Sequence, residues 1–170
     1  MGLLEVRGKA SIVILRDVEE VFDHISSPAF VQRCLKPASV DLSDRLHAGF
    51  TARYSLQWRW LKVPMLFEVT NYERPWRFHL RISSVAEKRF LGFRSRFIGK
   101  TRASPPSDIW FDLASAAGGT RLTHTVRQQL RSLLILPLAL AVSPLMSWRV
   151  RRDLRRLKRE LESEQAAAGW

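Results

Sequence analysis

Apolar residues recur at every second position through most of this chain and at every third or fourth position near its C-terminal end. Between Phe50 and Trp60, one parity is apolar or aromatic and the other is polar or basic. Such alternation is typical of a strand with one buried face. The later period is that of an amphipathic helix, whose apolar stripe consists of Val150, Leu154, Leu157 and Leu161. Because an antiparallel sheet must cover its apolar face, this helix is the predicted cover.

The order of the segments predicts an α+β fold. Leu4 to Leu15 alternates as a first strand, and Asp17 then precedes a helix with acidic residues in its first turn. A second short helix follows over about Ala29 to Leu35. Further strands are predicted at 50–60, 63–72, 76–83, 93–98, 109–113 and 122–126, with a short candidate at 40–43 and a hairpin turn at Gly118-Gly119. We therefore expect a curved antiparallel sheet of about seven strands, two short helices, and a long C-terminal helix over the concave face.

The C-terminal helix is predicted to begin at Ser143-Pro144, because serine caps helices well and proline suits the first turn. The apolar run from Leu133 to Trp148 overlaps this start and is interrupted by Pro137 and Pro144. It is shorter than the roughly 20 residues that a membrane-spanning helix needs. No transmembrane helix is therefore predicted, and a segment lying on a membrane surface stays open as an alternative.

The length of 170 residues predicts one domain over 1–165 and a C-terminal tail at 166–170. Hydrophobic residues make up 46% of the chain, which is enough for a sizeable core. Cys34 is the single cysteine, so no internal disulfide can form, and the first residues carry no secretory signal. These features predict a cytoplasmic protein, and association with a membrane surface stays open.

Four segments carry a resemblance to a known superfamily. They are DVEEVFDHIS at 17–26, FEVTNYERPWRF at 67–78, GGTRLTH at 118–124 and LRRLKRELE at 154–162. In this order and spacing the chain resembles the START-like or SRPBCC superfamily, which includes polyketide cyclase/dehydrase-like and lipid-transport proteins. The resemblance implies a Bet v 1-like helix-grip fold with a deep cavity between the sheet and the last helix. Members bind lipids, sterols, polyketides or plant hormones, and some are enzymes, so fold alone does not select an activity.

Eight residues on the apolar parity are candidates for lining such a cavity. They are Tyr54, Trp58, Phe67, Phe78, Phe97, Phe111, Leu122 and His124. The alternative is that these side chains simply fill the core; only the resemblance favours a pocket. Ligand pockets are mostly apolar with a few polar groups that fix orientation, and here those groups are the Tyr54 hydroxyl, the Trp58 indole and the His124 imidazole. His124 is the best candidate for a hydrogen bond to a ligand or for a general base.

The sequence lacks the motifs of metal and cofactor sites. The histidines form no HxH or HExxH pair, and one cysteine cannot form a CxxC. No GxSxG, P-loop or GxGxxG is present, so we expect neither a metal nor a cofactor. Glu68 and Asp112 occupy the polar parity, as does His79, which is expected to face solvent, and His24 is expected on the surface of the first helix.

The formal net charge of +12 favours anionic partners. Arginines occupy the polar parity of the strands, at 53, 59, 77, 81, 94, 96 and 102, with Lys100 among them, and others follow Trp148 in the final helix. Nucleic acid is disfavoured because, except for Trp110, the aromatics lie on the other parity. An anionic membrane could bind through Leu133 to Trp148 and the arginine-rich helix, unless that run packs over the pocket mouth.

Three functions follow from these patterns. The first is a carrier that binds a lipid-like or polyketide-like molecule, and it is favoured by the lack of a catalytic constellation. The second is a cyclase/dehydrase-type enzyme in which His124 or Tyr54 moves a proton. The third is a peripheral membrane accessory protein.

Overall fold

The computed structural model describes residues 4–35, 46–58, 61–84, 106–130 and 136–168. Within them, strands and helices follow in the order predicted from the sequence. The elements are β1 (Leu4–Ile14), α1 (Val18–Ile25), α2 (Pro28–Leu35), β2 (Thr51–Trp58), β3 (Leu61–Glu73), β4 (Arg77–Ser84), β5 (Ser107–Ala116), β6 (Gly119–Leu130) and α3 (Leu136–Ala168).

The six strands form one antiparallel sheet in the order β1-β6-β5-β4-β3-β2. Strands β2 to β6 are a meander of neighbours, and β1 joins beside β6 rather than beside β2. The predicted α+β class is confirmed, with six strands in the described part of the chain instead of about seven. The predicted strands at 40–43 and 93–98 lie outside the described residues.

Helix α1 forms for the local reasons that the sequence suggests. The Asp17 carboxylate accepts a hydrogen bond from the backbone N–H of Glu19 at 3.1 Å, which satisfies a donor at the helix start. Val21, Phe22 and Ile25 recur at helical spacing and are fully buried against the sheet. The predicted start of this helix is therefore confirmed.

The strand alternation gives the sheet a concave face toward the helices and a convex face toward solvent. The register keeps residues of the apolar parity directly opposite one another from strand to strand. A bulge between Val69 and Asn71 shifts the register of β3 by one residue, so that Tyr72 still points toward the helices beside Phe78. One continuous core therefore joins the sheet to all three helices.

Helix α3 begins at Leu136, and Pro144 lies inside it. The predicted start at Ser143-Pro144 is wrong. Proline is favoured in a first turn, and in a helix interior it removes one backbone hydrogen bond and crowds the carbonyl four residues earlier; here the helix nevertheless continues on both sides of Pro144. The predicted stripe is confirmed, since Val150, Leu154, Leu157 and Leu161 are buried in the common core.

Helix α3 follows the edge strand β1. Near its start, Met146 backbone and Cβ atoms lie 3.2 Å from where a side chain on Gly8 would begin. Further along, the Lys158 ammonium donates to the Val13 carbonyl at 2.9 Å, and the Arg16 guanidinium donates to the Leu161 carbonyl at 2.8 Å. The helix therefore runs parallel to β1, packs on the inward side of this strand at Gly8, and pairs one of its backbone carbonyls through Lys158.

Candidate functional site

A row of aromatic rings crosses the concave face. Tyr72, Phe78, Phe111 and His124 lie directly opposite one another on β3, β4, β5 and β6, and the row ends at Ala10 of β1. Ring centroids are 5.9 Å apart for the first pair, 6.2 Å for the second and 4.4 Å for Phe111 and His124. The two planes in this last pair are only 20° apart, so the imidazole stacks on the Phe111 ring.

Helices α1 and α2 pack over this row. The Phe22 ring meets Tyr72 edge-on at 5.2 Å, and the Phe30 ring meets Phe111 edge-on at 6.0 Å. Phe78 and Phe111 are 0% and 3% exposed, so both rings act as core residues here. Edge-to-face packing of this kind adds stability beyond the area that the rings bury.

From His124 toward Ser107 at the start of β5 and Gln128 near the end of β6, the inward side chains are more accessible than Phe78 and Phe111. Six inward-facing side chains are each only partly buried, and we call them the concave patch: Ile82, Ser107, Ile109, His124, Val126 and Gln128. They are neighbours through the register, since Ile82 lies opposite Ser107, Ile109 opposite Val126 and Ser107 opposite Gln128. The Ser107 hydroxyl donates a hydrogen bond to Oε1 of the Gln128 side-chain amide.

The concave patch adjoins helix α3. Val126 lies opposite Gly8 in the sheet, and Met146 and Ser147 of α3 lie directly over Gly8. The patch therefore combines three aliphatic side chains with three polar ones at the place where the sheet and α3 meet. Such a composition is typical of surfaces that bind a mainly apolar small molecule in one orientation.

His124 carries the unusual electrostatics of the patch. Part of the residue is accessible, but its Nε2 atom is buried and has no hydrogen-bond partner among the described residues. Burial lowers the pKa of His124 to about 4, because a charged imidazolium would lose its hydration there. The ring is therefore neutral near pH 7, and an unsatisfied buried polar atom of this kind costs about 1–3 kcal/mol.

Tyr54, the other predicted proton-transfer group, lies far from His124. It is buried on β2 opposite Met65, and burial raises the pKa of its hydroxyl to about 12. Strands β2 and β6 are separated by β3, β4 and β5, a path of roughly 19 Å along the sheet at about 4.8 Å per strand. The two groups are thus not brought together into one proton relay.

The other predicted pocket residues take several positions. Phe67 and Leu122 are fully buried core residues. The side chain of Trp58 and the whole of Phe97 lie outside the described residues. The concave patch also contains five residues that sequence analysis did not single out, namely Ile82, Ser107, Ile109, Val126 and Gln128. Their shared parity with Phe111 and His124 was the available signal.

Two histidines differ from expectation. His24 was expected on the surface of the first helix but is half-buried, with its ring centroid 5.7 Å from that of Phe30. His79 lies on the convex side as expected but is also half-buried, because its ring packs edge-on against Trp110 and its Nε2 is 3.4 Å from the Asp112 carboxylate. No group of three or more His, Cys, Asp or Glu side chains suited to a metal ion occurs among the described residues.

On the convex face, carboxylates offset part of the positive charge of the arginines. Arg81 pairs with Asp108 at 2.8 Å, and Arg127 pairs with Glu5 at 2.8 Å. The Arg127 guanidinium also lies 5.0 Å from the centre of the Trp110 ring. The predicted basic residues at 59, 94, 96, 100 and 102 lie outside the described residues.

Comparison with known proteins gives structural likenesses only. No protein-family model and no curated protein matches the sequence. SA2116, a protein of unknown function from Staphylococcus aureus, superposes with a TM-score of 0.68 at 8% identity, over 96% of this chain and 98% of that one.

In the part of the chain that the structure describes, no helix is both long and apolar enough to cross a membrane.

Two further structures are similar over almost their full lengths. Ara h 8.0201 has a TM-score of 0.59 at 9% identity, over 96% of this chain and 99% of that one. Ms6760 from Mycobacterium smegmatis has a TM-score of 0.56 at 14% identity, over 99% and 98%. With the sheet order and the closing helix described above, these likenesses show that the chain has a Bet v 1-like helix-grip fold.

Proposed function

We propose that this protein binds a hydrophobic small molecule on the concave patch, between the sheet and α3. The observation that carries the proposal is the buried, unpartnered Nε2 of His124 within the described structure. A hydroxyl or carbonyl group of a ligand would satisfy this nitrogen and remove its penalty. The aliphatic side chains of Ile82, Ile109 and Val126 would receive the apolar part of the same molecule.

The charge state of His124 limits the chemistry of the ligand. Because burial lowers its pKa to about 4, the imidazole is neutral near pH 7 and offers a ligand no positive charge. Transfer of a carboxylate into this apolar surrounding would be costly without a cation to pair with it. A neutral alcohol, sterol or ketone therefore fits the patch better than a fatty acid anion.

Binding is supported better than catalysis. A general base works best when its pKa lies near the operating pH, and His124 is about 3 pH units too acidic for that. Tyr54, with a pKa of about 12, is a poor acid at neutral pH, and its strand β2 is separated from the His124 strand β6 by three other strands. The cyclase/dehydrase alternative would need other groups to move protons.

Native mass spectrometry of the purified protein, followed by titration with lipophilic probes, tests the proposal. A long-chain alcohol should bind more tightly than the fatty acid of equal length. In His124→Phe, which keeps an aromatic ring on Phe111, affinity for the alcohol should fall about fivefold, since one net hydrogen bond contributes about 1 kcal/mol.

His47→Phe is the matched control, because His47 is exposed and lies outside the patch. Its affinity for the alcohol should equal that of the wild type. The proposal is wrong if neither co-purified nor added lipophilic molecules bind, or if both histidine variants bind the alcohol as the wild type does.

A further inference from the structure

The surface of α3 that points away from the sheet has a composition unlike the rest of the helix. At 100° per residue, the buried stripe around Leu154 occupies one side. Eight exposed residues fall within an arc of about 120° on the opposite side. Two of them are Arg156, which pairs with Glu160, and Ser163. We call the other six the outer face of α3: Leu145, Trp148, Arg149, Arg152, Arg155 and Arg159.

The outer face carries no carboxylate. The acidic residues Asp153, Glu160 and Glu162 lie on its flanks, and the two glutamates are held by neighbouring cations. Glu160 pairs with Arg156 at 3.0 Å and with Arg33 of α2 at 3.1 Å, and Glu162 pairs with Lys158 at 3.5 Å. The four arginines of the outer face thus form an uninterrupted positive strip between these pairs.

Two large apolar side chains extend this strip. Leu145 and Trp148 are 59% and 57% exposed, and their spacing of three places them side by side on one helical turn. The Arg152 guanidinium lies 5.6 Å from the centre of the Trp148 ring, which holds cation and indole together. Exposed leucine and tryptophan beside a row of arginines suit a partner that presents apolar and anionic groups side by side.

We propose that the outer face of α3 binds the surface of an anionic lipid bilayer, with the helix lying in the plane of the membrane. Tryptophan prefers the headgroup level of a bilayer, and leucine can enter the acyl boundary beside it. The arginines would contact lipid phosphates and anionic headgroups, to which the overall charge of +12 also attracts the protein.

Nucleic acid fits this face less well. Its phosphates would engage the arginines, but single strands also need several aromatic rings on which successive bases stack. Among the described residues of the outer face, Trp148 is the one aromatic side chain. Exposed Leu145 has no role in contacts to phosphate. The membrane proposal does not depend on the identity of any ligand on the concave patch.

Flotation of the full-length protein with lipid vesicles tests this proposal. The wild type should float with vesicles of equal parts phosphatidylserine and phosphatidylcholine, and it should stay behind with phosphatidylcholine alone. Each arginine contributes roughly fivefold to such binding, so Arg152→Gln/Arg155→Gln should lose about 25-fold in affinity. Trp148→Ala should bind at low salt and detach at a lower salt concentration than the wild type.

Arg53→Gln/Arg121→Gln is the matched control, because it removes the same charge from exposed positions on the strands. It should retain nearly all of the affinity for the phosphatidylserine vesicles. Thermal melts establish that each variant folds, and Arg149→Gln/Arg159→Gln serves as a second pair on the outer face.

Three outcomes would overturn the proposal. The first is no flotation of the wild type with the phosphatidylserine vesicles. The second is an equal loss in the outer-face and control pairs, which would assign binding to net charge. The third is tighter binding to a nucleic-acid fragment than to these vesicles with the same arginine dependence, which would make the partner a nucleic acid.

Discussion

Replacement of His124 by phenylalanine should stabilise the ligand-free protein and change how its stability depends on pH. The imidazole stacks on Phe111 at 4.4 Å, and a phenyl ring of similar shape can take its place. The change removes a buried nitrogen that has no partner in the described structure. At neutral pH we expect the free energy of unfolding to rise by about 1–3 kcal/mol. The melting temperature should rise by about 2–12 °C for a domain of this size.

The pH dependence follows from the sign of the pKa change. The pKa of His124 is about 4 in the folded protein, compared with 6.5 for a histidine exposed to water. Between these values the unfolded chain binds the proton and the folded chain does not, so the wild type loses stability as the pH falls from 6.5 toward 4. Over that window the loss is about 3 kcal/mol. The advantage of His124→Phe should grow by the same amount.

Urea unfolding of both proteins at several pH values between 7 and 4 measures this difference directly. Only the difference between the two curves is used, because the carboxylates titrate in the same window in both proteins. His47→Phe should follow the wild type throughout. Parallel curves for His124→Phe and the wild type, or a lower melting temperature for His124→Phe at pH 7, would refute the reasoning.

Two further predictions concern α3. Gly8→Val should lower the free energy of unfolding by about 2 kcal/mol in a urea titration, because its side chain would meet Met146 backbone and Cβ atoms at 3.2 Å; an unchanged midpoint would show that α3 does not approach β1 this closely. Pro144→Ala should raise the free energy of unfolding by about 1–3 kcal/mol, because alanine can donate a backbone hydrogen bond in a helix interior; a loss of stability would instead support a helix that begins at Ser143.

The strands were predictable because their residues alternate, and a period of two leaves one possible inward face. Phe78, Phe111 and His124 were therefore assigned to the same side correctly. The bulge after Val69 was not predicted, since it depends on pairing with β4 and not on any local turn residue. Strand order was not predicted, because alternation alone does not specify which strands are neighbours.

The position of α3 and the extent of the concave patch were harder to predict. Gly8 interrupts an apolar parity, and a glycine in a strand often marks a close approach by other backbone, which was the available signal for the path of α3. Ser107 and Gln128 were passed over because the predicted strands ended short of them, at 109 and 126, where polar residues replace apolar ones; the observed strands are longer and place both side chains inward. Patterns of hydrophobicity find a core well, but they discard the polar residues by which a pocket would orient its ligand.

The pairing of β1 with β6 also has a consequence for how the chain is made. Leu4 lies opposite Leu130, so the first strand has no sheet partner until most of the polypeptide has left the ribosome. At about 5–20 residues per second, β1 would wait roughly 6–25 s for β6 and longer for α3. During synthesis, the small inward residues Gly8 and Ala10 expose less apolar surface than larger side chains would, which lowers the tendency of the unpaired strand to aggregate before its partners are translated.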